Sequence, residues 1–114
     1  MPIVELVVRS VAAADGGISS RALVDSGADA TILPLAVLQN AQVDQVGRAR
    51  MRWGSHQSRL YDVYLATIVI GPYSIYGVRV LADATGNEAI LGRDVLNQMV
   101  VTLNGLAHIV EMSQ

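Results

Sequence analysis

One run of this chain has residue types and spacing suited to catalysis: Leu23-Val24-Asp25-Ser26-Gly27-Ala28-Asp29-Ala30-Thr31. It sets a carboxylate at the end of an apolar strand, immediately before Ser-Gly. A buried charge costs several kcal/mol unless it is paired or neutralised. Beside a glycine that lets another backbone approach, such a carboxylate is more useful as an acid or base than as a structural group. Other polar candidates weigh less. His56 falls in a polar loop and His108 in the last apolar run, and with no cysteine in the chain they make no metal site. Asp15-Gly16-Gly17 is too short for a phosphate loop and reads as a turn. Arg48, Arg50 and Arg52 alternate with Ala49, Met51 and Trp53, the pattern of a strand with one wet face.

The elements that must hold this run follow from composition and punctuation. A chain of 114 residues, 52% hydrophobic and 16% charged, is expected to be one domain spanning residues 1–114, more apolar than usual. Val, Ile, Leu and Ala dominate and Phe is absent, which suits strands. The net charge of −2 argues against a nucleic-acid partner. No basic leader precedes an apolar stretch, and no uninterrupted apolar run approaches about 18 residues. The expectation is a soluble, cytoplasmic protein with no membrane contact.

Ile3 to Arg9 and Ile18 to Val24 read as strands joined over Ala14-Asp15-Gly16-Gly17, a hairpin that delivers Asp25 at its end. Thr31-Ile32-Leu33 reads as a short strand, with Pro34 opening a helical turn over Leu35 to Asn40. Leu60 to Ile70 and Tyr73 to Leu81 form a second hairpin about Gly71-Pro72. Ile90-Leu91-Gly92 precedes a short helix, Arg93 to Gln98, whose first turn Asp94 suits as a capping carboxylate. Met99 to Leu103 and Leu106 to Met112 read as a last hairpin about Asn104-Gly105. The sum is a mostly antiparallel β domain with two short helices.

Leu23-Val24-Asp25-Ser26-Gly27-Ala28-Asp29, followed by Ile90-Leu91-Gly92-Arg93-Asp94, resembles the retropepsin-like aspartic proteases, and most of all their small prokaryotic members. The resemblance implies an all-β, mainly antiparallel, closed barrel-like fold with one or two short helices, and an aspartic endopeptidase needing no cofactor and no metal. It implies that Asp25 is catalytic and that Ser26, Gly27, Ala28, Asp29 and Ala30 form the active-site and substrate-binding loop. Ile90, Leu91, Gly92 and Arg93 would support that loop, with Asp29 and Arg93 as a buried ion pair that Arg9 of a second copy joins. Trp53, Gly54, Ser55 and His56 are the candidate flap.

Hydrolysis by this route needs two carboxyl groups sharing a proton. The chain offers one motif: Asp29 is on the same loop, Asp94 caps a helix, and Asp15, Asp44 and Asp83 fall in turns. A two-fold homodimer, in which Asp25 meets its own copy, supplies the second carboxyl. It also accounts for the surplus of apolar residues. The expected activity is hydrolysis of peptide or protein substrates, favoured at mildly acidic pH. Two rivals remain: a dimeric peptide-binding module without turnover, and a monomeric structural domain in which Asp25 is a capped turn.

Overall fold

The computed structural model describes residues 2–52 and 58–103. Its elements are β1 (Ile3–Arg9), β2 (Ile18–Val24), β3 (Ile32–Pro34), α1 (Leu35–Asn40), β4 (Asp44–Met51), β5 (Arg59–Ile70), β6 (Tyr73–Asp83), β7 (Ile90–Leu91) and α2 (Arg93–Leu103). They form a seven-stranded sheet in the order β1-β2-β7-β3-β6-β5-β4, and a further pairing of β1 with β5 closes a circuit of six strands. β4 is attached outside the circuit. Most pairings are antiparallel, but β2 with β7 and β3 with β6 run parallel. The sheet is therefore mixed.

β5 reaches both roles by its length and by a bend. Its first half pairs with β4, from Met51↔Arg59 to Asp44↔Leu65. Its second half turns to β1, from Arg9↔Thr67 to Val7↔Val69. Opposite Thr67, the β6 residues Tyr76 and Gly77 take the place of one. Such a bulge bends a strand and increases its twist. Gly77 accommodates it at φ +70°, a conformation that side chains with a Cβ disfavour.

Apolar residues sort to two faces by strand alternation. The main core takes Leu6 and Val8 from β1, Ile68 from β5, Val80 from β6 and Leu91 from β7. Both helices cover it, through Leu38 of α1 and Val95 of α2, neither exposed at all. A second, smaller cluster lies elsewhere on the sheet: Ile32, Tyr61, Val63 and Leu81, with Ala30, Ala49 and Met51 against it. Ile32 and Leu33 are adjacent and join different clusters, so three-residue β3 is buried throughout.

One expectation fails. Met99 to Leu103 continues α2 and is not a strand. Val95, Leu96 and Met99 recur at helical spacing and pack on the main core, and that packing outweighs the β preference of the Met-Val-Val-Thr-Leu run. The predicted hairpin about Asn104-Gly105 and the strand from Leu106 lie outside the described residues, as do Trp53, Gly54, Ser55 and His56. Among the described residues no helix is long and apolar enough to cross a membrane.

Leu33→Ala should cost about 2–5 kcal/mol, because it empties a fully buried site. Leu60→Ala, at a residue 52% exposed, should stay within about 0.5 kcal/mol. Denaturant unfolding of both variants at one protein concentration checks the contrast.

Candidate active site

β2 is held on both edges up to its last residue, and this fixes where Asp25 emerges. β1 pairs along one side, with Ile3 opposite Leu23. β7 pairs along the other, with Ile90 and Leu91 opposite Leu23 and Val24. The hold extends one residue further, because the Asp25 amide donates to the Leu91 carbonyl at 3.0 Å. Beyond that point the chain turns: the Ala28 amide donates back to the Asp25 carbonyl at 3.1 Å, and the Gly27 amide to Asp25 Oδ1 at 2.9 Å. Asp25 is half-buried, and its Oδ2 has no hydrogen-bond partner among the described residues. Ser26, Gly27 and Asp29 are exposed along the loop, while Ala28 points inward and is buried.

A second set of contacts fastens the loop to α2. The Arg93 amide donates to the Ala28 carbonyl at 2.8 Å. Thr31, fully buried, donates its hydroxyl to Asp94 Oδ1 at 2.8 Å and accepts from the Gly92 amide at 3.1 Å. Its own amide donates to Asp94 Oδ2 at 3.3 Å, and Asp94 Oδ1 also accepts from the Val95 amide at 2.8 Å. Gly92 is required by contact: a Cβ there would lie 2.5 Å from the Ala30 carbonyl oxygen and 3.0 Å from that of Ala28. Ile90, Leu91, Gly92 and Arg93 therefore do lie beneath and beside the loop of Asp25.

The sequence reading of Asp94 as a helix cap is correct but incomplete, since the same carboxylate locks Thr31 from 63 positions away. A buried threonine hydroxyl and a helix-start carboxylate leave no local signal that they are partners. Asp29 and Arg93 do pair, Nη2 of the arginine to Oδ1 of the aspartate. The pair is not buried in the chain: the two side chains remain 66% and 53% exposed. Ala28 and Gly92 occupy the inward positions, so their neighbours face out. It is a single contact, not a bidentate one, and such exposed pairs contribute about 0–1 kcal/mol. Arg9 binds its own hairpin turn, donating Nε to the Gly16 carbonyl at 2.9 Å and Nη1 to that of Ala14 at 3.4 Å.

β4 and β5 form a hairpin whose last pair is Met51↔Arg59, and the segment 53–57 joins them. Along its stem Ala49 and Met51 face the second cluster, while Arg48, Arg50 and Arg52 are exposed. Arg48 Nε meets Asp62 Oδ1 at 3.2 Å.

A circuit of strands holding an Asp-Ser-Gly loop against a Gly-Arg helix start has the architecture of a retroviral-type aspartyl protease. Residues 12–98 match the family described as "gag-polyprotein putative aspartyl protease", and the chain belongs to that family. The solved structure of EIAV protease, complexed with the inhibitor HBY-793, aligns with a TM-score of 0.63 at 21% sequence identity. The alignment covers 86% of this chain and 86% of that one, and it is a likeness of fold. No curated protein sequence matches the chain.

Thr31→Val should destabilise the protein by about 1–3 kcal/mol, because it strips a half-buried carboxylate and a buried amide of one partner each. Gly92→Ala should cost a similar amount through backbone displacement. Thermal or denaturant unfolding measures both, and amide exchange at Ala28 and Gly92 should rise in each variant relative to the rest of the sheet.

Proposed function

We propose that two copies of this chain form an aspartic endopeptidase, with Asp25 and Asp25 of the partner subunit sharing one proton and activating a water between them. The observation that carries this reading is the state of Asp25. Its loop is fixed at both ends, one carboxylate oxygen orients on Gly27, and the other is free to face a symmetry-related group. A surface feature supports pairing: Ile3 and Leu23 face each other across β1 and β2 beside the loop, 63% and 40% exposed. A two-fold contact would cover this apolar surface.

In the reaction, one carboxylate takes a proton from the water as its oxygen bonds to the peptide carbonyl carbon. The other carboxyl gives its proton to the carbonyl oxygen, producing a tetrahedral diol. Collapse of the diol breaks the C–N bond while the leaving nitrogen is protonated. The proton returns to the pair, so neither aspartate is the acid by itself. Ser26, exposed at the loop tip, would bond across the axis. Gly27 leaves room for the substrate backbone. An extended peptide would bind between the loop and the β4–β5 hairpin by strand addition, with Trp53, Gly54, Ser55 and His56 closing over it.

Asp25→Asn should reduce cleavage of a peptide library to background while leaving a dimer in sedimentation. The wild-type kcat/KM–pH profile should be bell-shaped, as for an acid and a base drawn from one pair. Undiminished cleavage by Asp25→Asn would overturn the proposal. So would a dimer that binds peptides and leaves them uncut, or a monomer that cleaves.

A further inference from the structure

We propose that a pocket beside the active-site loop, rimmed by Arg79, selects a glutamate side chain in the substrate. This inference rests on the peptidase reading and names a substrate preference within it. The pocket has a volume of about 220 Å³ and lies between Ala30 of the loop and the stem of the β4–β5 hairpin. That is below the roughly 300 Å³ at which small-molecule sites begin, and it suits one side chain of a longer ligand. A peptide lying over Gly27 in extended form turns alternate side chains toward such a depression.

Strand register places its walls. Val63 and Leu81 stand opposite each other on β5 and β6, and Met51 belongs to the same cluster. Val46 is the extra residue of a bulge in β4, between the pairs Gln45↔Tyr64 and Gly47↔Val63. The bulge turns Val46 into the pocket, 46% exposed. These groups are aliphatic and offer contact to methylenes.

The charge at the rim without an acidic partner among the described residues is Arg79. Arg79 lies two residues before Leu81, so on the same face of β6, opposite Leu65. It is exposed and has no acidic partner among the described residues. Arg48 also borders the pocket, with its Nε on Asp62. No carboxylate is found among the described residues that line it. The motif cation beside the loop, Arg93, is committed to Asp29. An apolar floor with a guanidinium at the mouth fits a side chain with two methylenes and a terminal carboxylate. Aspartate is too short to use both features, and lysine is repelled at the rim.

The test uses peptides in which Glu, Gln or Lys is placed in turn at each position around the cleaved bond. Cleavage is measured with the wild type and Arg79→Glu. Binding of the same peptides to Asp25→Asn is measured by fluorescence anisotropy. At one position the wild type should prefer Glu over Gln by about two- to fivefold, the range of an ion pair at an exposed site. The preference should shrink as ionic strength rises. Arg79→Glu should reverse it, favouring Lys at that position. Equal Glu-to-Lys ratios in wild type and Arg79→Glu would overturn the pocket assignment while leaving the peptidase reading intact. Glu-selective binding by Asp25→Asn, with no peptide cut by the wild type, would uphold the pocket and overturn the peptidase. Failure to bind or cut any peptide overturns both.

Discussion

The Thr31 hydroxyl sits between a carboxylate and an amide, and the geometry of the whole loop depends on it. It gives its proton to Asp94 and takes one from Gly92, so the start of α2 and the start of β3 are fixed to one atom. Everything from Asp25 to Ala30 spans between that atom and the end of β2. Because Thr31 is fully buried, its hydroxyl has no access to water, and losing these partners would leave it unsatisfied in the core. A loop with exposed residues at its tip is thereby tied at both ends to the strands and helix beside it.

The same contact explains why a glycine must precede Arg93. The Gly92 backbone passes against the carbonyls of Ala28 and Ala30 with no room for a methyl group. The Asp-Ser-Gly run and the Leu-Gly-Arg run are two halves of one packed unit, joined side by side through the parallel pairing of β2 and β7.

Much of this was legible from sequence where the physics is local. Strand limits followed alternation and turn residues, so Ile3–Arg9, Ile18–Val24 and Leu35–Asn40 match the structure, and β5 and β6 differ from their predicted spans by a residue or two. Legibility failed where the deciding interaction is distant or collective. α2 runs past Gln98 because Val95, Leu96 and Met99 find the core on one face, and local β preference for Met99 to Leu103 cannot register that. The parallel pairings and the closure of β1 on β5 leave no trace in spacing. Asp29 and Arg93 were recognisable as partners, yet their exposure depends on which neighbours point inward. The Thr31–Asp94 bond, between residues 63 positions apart, and the pocket beneath Arg79 are products of the fold alone.

β4 touches the sheet along one edge only, on β5, while β5 itself belongs to the closed circuit. In mechanical terms the β4–β5 hairpin is a cantilever anchored in a rigid ring. Substitutions at the exposed positions of β4 load the free arm and spare the ring. The exposed positions of β4, tied on one edge only, can thus change at less risk to folding than the floor that carries Asp25. A chain built this way divides its surface into an arm with backbone ties on one edge and a ring with ties on both.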